Sequence, residues 1–136
     1  CDGDRALQKG DLAAAIAGYE RVVNDGNLKP TGMVAEAEER SALSAFALYR
    51  LVTAYAAQGN ASGIQRSIEA LHMYRNHPCL PLAEAFLQAW RDTGSVGEAC
   101  AAATAYAAAH PEVAESFGYY GYGNPVIAVE DVCSLR

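Results

Sequence analysis

The chain has 136 residues, 51% of them hydrophobic, with a formal net charge of −6 and a pI near 4.9. That length suits one domain, able to bury roughly 68% of its unfolded surface. The ten Lys and Arg are scattered singly, so no basic stripe exists to release counterions from a phosphate backbone, and nucleic acid is not an expected partner. No run approaches the roughly 20 apolar residues of a membrane span. The longest candidate, Ala99 to Ala109, is dominated by Ala and reads as a packed helix.

The chain opens Cys1-Asp2-Gly3-Asp4 with no initiator Met. This opening resembles a mature bacterial lipoprotein, whose leader is cut immediately before a Cys that then carries lipid. The resemblance implies an exported protein held at the membrane through Cys1, on the periplasmic or extracellular side of the envelope. Buried acyl chains contribute about 0.8 kcal/mol per CH₂, and stable residence needs more than one chain. The alternative is a fragment that happens to start at Cys.

Three times a glycine and a helix-capping residue precede an apolar helical pattern that ends near a proline. The segments are Gly10-Asp11 to Pro30, Gly59-Asn60 to Pro78, and Gly94-Ser95 to Pro111. Leu12, Ala15, Ile16, Tyr19, Val22 and Val23 form one stripe at i, i+3, i+4 and i+7 spacing. Asp11, Asn60 and Ser95 are good N-caps, and the glycine before each lets the preceding helix end with positive φ. Asp25-Gly26-Asn27 marks a helix end. The segment from Thr31 to Ser44 is rich in Ala and Glu and extends the following helix backward, giving one helix from about Met33 to Gln58. His77-Pro78 and His110-Pro111 stop their helices, because a residue before proline leaves the α region.

Gly59 and Gly94 lie 35 residues apart and Pro78 and Pro111 lie 33 apart, on either side of the tetratricopeptide period of about 34. Lys9 to Val23, with Ala15, Tyr19 and Val22, resembles the second helix of such a repeat. Leu48, Leu51 and Tyr55 take first-helix positions in the next unit, and Ile64, Ile68 and Leu71 the second. Phe86 and Trp90 face Ala99, Ala103 and Tyr106 in the third. The resemblance implies an all-α fold: a short right-handed α-solenoid of about two and a half tetratricopeptide-like helix–turn–helix units with an extended C-terminal Tyr/Gly tail. The units run about 1–30, 31–78 and 79–111, with a partial cap at 112–118 and the tail at 119–136.

In the tail, Gly118, Gly121, Gly123 and Pro125 exclude a helix, while the tyrosines and Val126 to Val129 favour extended chain. With Cys1 lipidated, the other three cysteines, Cys79, Cys100 and Cys133, make one disulfide and one free thiol. Cys100–Cys133 is the expected pair, tying the tail over the open end of the third unit. Tyr119, Tyr120 and Tyr122 form either a cap there or a partner-binding surface.

Little else in the sequence carries chemistry. His72, His77 and His110 lack H-x-x-x-H or H-E-x-x-H spacing, and no C-x-x-C occurs, so a metal site is not expected. Glu38–Glu39 and Glu130–Asp131 are adjacent and point apart. No G-x-S-x-G elbow or phosphate loop is present, and neither catalysis nor a cofactor is expected. The concave face implied by the repeat places Phe46, Tyr49, Arg50 and Thr53 with Glu84, Gln88 and Arg91 as a partner surface. For Phe46 and Tyr49, packing against the shortened first unit is the alternative. The expected function is that of a non-enzymatic accessory subunit docking on a larger membrane complex. The alternative is a structural oligomer or filament built by end-to-end contacts between copies.

Overall fold

The computed structural model describes residue 6 and residues 10–28, 34–74 and 76–113, with backbone only for 25–28 and 34–43. The described chain is all-α. Its helices are α1 (Leu12–Leu28), α2 (Val34–Gln58), α3 (Ala61–Leu71), α4 (Cys79–Thr93) and α5 (Val96–Ala109). The long second helix, Val34–Gln58, matches the span of about Met33 to Gln58 expected for it. The tail at 119–136 lies outside the described residues.

Each of the three expected glycine–cap pairs has its physical counterpart. Gly10, Gly59 and Gly94 have φ of 77°, 76° and 68°, the left-handed conformation that glycine adopts without a Cβ penalty. The residue after each glycine then caps the next helix. Asp11 Oδ1 accepts from the Ala14 N–H at 3.0 Å, Asn60 Oδ1 from Gly63 at 2.9 Å, and Ser95 Oγ from Glu98 at 3.2 Å. One donor that the first turn leaves without a helical partner is satisfied in each case.

Two boundaries differ from expectation. Helix α1 continues through Asp25-Gly26-Asn27 to Leu28, and Gly26 has no positive φ. A glycine ends a helix only where the chain turns left-handed, and here it is carried through. Helix α3 stops at Leu71, well before His77-Pro78. His72 is therefore its C-cap, with an N–H that bonds Ala70 and Ile68 carbonyls. Successive turns bonded from Tyr74 to Leu71 and from His77 to Tyr74 then carry the chain to α4. Pro78 ends up as the N-cap of α4 rather than the terminator of α3.

Helix α2 is the centre of the packing. It lies against α1, α3 and α4 and also touches α5, while α4 pairs with α5. Every residue from Ser44 to Ala56 is buried, so this stretch has no solvent face. The rest of the core comes from Ala15, Ile16 and Tyr19 of α1, Ile64, Ile68 and Leu71 of α3, and Phe86 with Leu82 and Leu87 of α4. Ala99 and Ala103 of α5, both at 0% exposure, let α4 and α5 approach closely. None of the described helices is long and apolar enough to cross a membrane.

Candidate functional site

The residues expected on a concave face do not form one exposed surface. Phe46, Tyr49, Arg50 and Thr53 are 0%, 1%, 4% and 1% exposed. They lie within the core, where the Phe46 ring meets His77 and Tyr49 is close to Cys79. The Arg50 guanidinium lies 6.0 Å from the centroid of the Tyr19 ring on α1, a cation–π arrangement favoured when water is excluded. Thr53 Oγ1 donates to the Arg50 carbonyl at 2.7 Å. Glu84, Gln88 and Arg91 are exposed along α4. The Gln88 amide donates to Asp92 Oδ1 at 3.0 Å, one turn on.

Around Arg50 the structure gathers polar groups that are far apart in sequence. Cys79, at the start of α4, is a buried free thiol. Burial pushes its pKa well up, and the Arg50 charge only partly offsets this. Burial likewise pushes the Tyr49 phenol far above its usual range, with Cys79 adding to the effect. Beside them the Cys79 backbone N–H donates to His77 Nδ1 at 3.1 Å, so the imidazole serves α4 as an N-terminal cap. That bond places the ring proton on Nε2, which is buried with no hydrogen-bond partner among the described residues. The ring stands edge-on to Phe46 at 4.9 Å and 76°, a geometry that suits the aromatic quadrupole. Burial lowers the His77 pKa from 6.5 to about 4. Tyr49, Arg50 and Cys79 are closed to solvent, and a thiol with a raised pKa is a poor nucleophile.

At the end of α5, His110 Nδ1 donates to the Tyr106 carbonyl at 2.9 Å and so caps the helix C-terminus. Its ring stacks on Tyr106 at 3.9 Å and 13°. Burial raises the Tyr106 pKa, and the Glu112 and Glu84 carboxylates raise it further. Among the described residues no group of His, Cys, Asp and Glu could hold a metal ion.

Among the described residues an open cleft of about 310 Å³ lies between α1, α2 and α3. Leu48, Leu51 and Tyr55 of α2 form its floor. Glu20, Val23 and Asn24 of α1 make one wall, and Arg66, Ser67 and Ala70 of α3 the other. Tyr55 joins the two walls. Its hydroxyl donates to the Glu20 carboxylate, and the Arg66 guanidinium lies 5.9 Å from its ring centroid. Arg66 also donates to Ser62 Oγ at 3.1 Å. The ring rests against the backbone of α3 at Gly63, where a Cβ would come within 2.5 Å of Tyr55 Cδ1. Burial raises the Tyr55 pKa, the Glu20 hydrogen bond and charge raise it further, and Arg66 opposes them.

Sequence reasoning missed this constellation, because Tyr55 reads there only as a large first-helix residue. The available signal was Gly63. A glycine three residues inside a capped helix has no turn to make, so it marks a close approach. Of the other expected sites, Cys100 is buried on α5 at 3% exposure. Cys1, Tyr119, Tyr120, Tyr122 and Cys133 lie outside the described residues. No protein-family model, curated protein or solved structure matches this chain.

Proposed function

We propose that this protein is a non-enzymatic accessory subunit: a short right-handed stack of tetratricopeptide-like helical hairpins that docks on a larger membrane-associated assembly. The observation that carries this reading is the packing order. Helix α1 packs on α2, α2 on α3 and α4 on α5, with α2 also against α4. Hairpins stacked in that order spend their inner faces on one another and keep their outer faces for a partner. The outer side of α5 fits this role, since Ala101, Ala105, Ala108 and Ala109 are exposed on a helix that is apolar on nearly all sides.

The proposal takes Cys100 as a disulfide cysteine with Cys133 as its partner, holding the tail near α5. Tyr119, Tyr120 and Tyr122 would then divide between covering the last hairpin and touching the neighbour.

The test is a pull-down from detergent-solubilised native membranes with the intact protein as bait. A membrane complex retained in fixed stoichiometry is the expected result, and replacing the three tyrosines by Ser should weaken it while leaving the helical signal intact. Recovery of the bait alone would overturn the docking reading.

A further inference from the structure

We propose that the cleft between α1, α2 and α3 binds a short extended peptide segment in which one aliphatic side chain lies between an acidic and a basic residue. The inference rests on the accessory-subunit reading and names the surface that grips the partner.

The argument starts from what the cleft offers. Its volume, about 310 Å³, is at the small end of ligand pockets. It has room for one side chain and its flanking backbone, whereas a helix would need a groove several turns long. The floor under the opening is aliphatic, Leu48 and Leu51, with Val23 and Ala70 half-buried at its sides. An apolar side chain placed there removes its own surface and that of Val23 and Ala70 from water, Leu48 and Leu51 being already buried beneath it.

The polar groups around that floor are of both signs and stand on opposite walls. Glu20 on α1 uses one carboxylate oxygen for the Tyr55 hydroxyl, which leaves the other for an incoming donor. Arg66 on α3 donates to Ser62 and lies against Tyr55, from a guanidinium that carries five N–H donors. Tyr55 meets both groups, Glu20 through its hydroxyl and Arg66 beside its ring. Asn24 adds a side-chain amide, exposed and without a hydrogen-bond partner among the described residues. An amide can both donate to and accept from a peptide backbone. A purely anionic ligand would meet Glu20 unfavourably, and a purely cationic one Arg66. A segment with a carboxylate toward α3 and an ammonium toward α1 meets neither penalty.

The wall geometry is fixed in advance. Gly63 lets the Tyr55 ring lie on the backbone of α3, while the ring's hydroxyl and face hold Glu20 and Arg66 in place. A site whose charged groups are already positioned gives up little conformational freedom on binding.

The experiment is an amide-resolved NMR titration of the isotope-labelled full chain with N-acetyl-Glu-Leu-Lys-amide. The expected result is saturable shifts confined to residues such as Val23, Asn24, Leu48, Arg66 and Ala70, with a Kd on the order of 1 mM. The Ala-centred tripeptide should bind roughly tenfold more weakly, having lost three buried carbons. Arg66→Glu should weaken the Glu-Leu-Lys probe several-fold and favour a Lys-Leu-Lys probe in its place, with the unfolding temperature recorded alongside. No saturation, equal binding of the Ala-centred probe, or shifts on other faces would overturn the proposal. Concentration-dependent shifts of the same resonances without peptide would also overturn it, by naming a second copy as the occupant. If the membrane pull-down succeeds equally with Glu20→Arg/Arg66→Glu, the cleft assignment fails while the accessory reading stands. If the tripeptide saturates the cleft but no complex is retrieved, only the accessory reading fails.

Discussion

Replacing Gly63 by Ala sets two effects of opposite sign against each other. In an unencumbered helix the change gains up to about 1 kcal/mol, because alanine gives up less backbone freedom. Here the new Cβ would stand 2.5, 2.6 and 2.7 Å from Cδ1, Cγ and Cε1 of Tyr55, roughly 1 Å inside normal carbon contact. The ring cannot swing clear cheaply, because its hydroxyl is tied to Glu20 and its face is covered by Arg66. Overpacking of this kind costs about 1–3 kcal/mol. The expected net effect is therefore a loss of about 1 kcal/mol, a fall in Tm of roughly 3–5 °C for a domain of this size. Thermal unfolding followed by circular dichroism reads it directly. The same substitution in a Tyr55→Leu background should be neutral or stabilising by up to about 1 kcal/mol, a coupling of about 2 kcal/mol between the two positions. A Tm that rises when Gly63→Ala is made in the unaltered protein would refute the claim that the ring is pinned against α3.

Other expected outcomes concern the α4 start, the caps and the buried thiol. Since the His77 pKa is lowered from 6.5 to about 4 on folding, the folded form prefers the neutral ring. Its stabilising contribution is complete above pH 6.5 and is lost as pH falls toward 4, by about 2 kcal/mol after discounting for the ring's partial exposure. Denaturant midpoints at pH 7 and 4.5 should differ less in His77→Asn, which keeps a capping acceptor, and an unchanged difference would sink the assignment. Asn60→Ala and Ser95→Ala should each cost about 1 kcal/mol in urea unfolding, and a cost near zero would mean that water replaces the cap. Cys79 should react with an aromatic disulfide reagent on the order of 100-fold faster in denaturant than in buffer, and rapid native labelling would show that α4 opens locally.

The starts of α1, α3 and α5 were legible because each needs a specific pair of residues. A left-handed glycine followed by Asp, Asn or Ser has few other uses, and all three pairs behave as their chemistry requires. The span of α2 was legible for the same reason, as nothing between Val34 and Gln58 interrupts a helix. Asp25-Gly26-Asn27 misled because composition marks where a turn is possible, while the backbone around Gly26 settles whether one is made. The concave face misled more instructively. Phe46, Tyr49, Arg50 and Thr53 share one side of α2, but periodicity does not say how many helices surround that side. With α1 on one flank and α4 on the other, even an arginine there is enclosed. The cleft escaped notice because Glu20, Tyr55 and Arg66 belong to three helices and share no local pattern.

The position of α2 bears on how the molecule comes apart. Its 25 residues extend about 37 Å, and it touches each of the other four helices. In an array whose units meet only their neighbours, an end can unzip while the remainder stays ordered. Here, loss of α1 bares Tyr19's counterparts on α2, loss of α3 bares Tyr55, and loss of the α4–α5 pair bares Phe46. Every departure strips the same rod, so denaturation should be a single all-or-none event instead of a progression from one end. No subset of these helices is a self-sufficient folding unit, and a partner that grips α1 or α3 thereby holds the whole molecule.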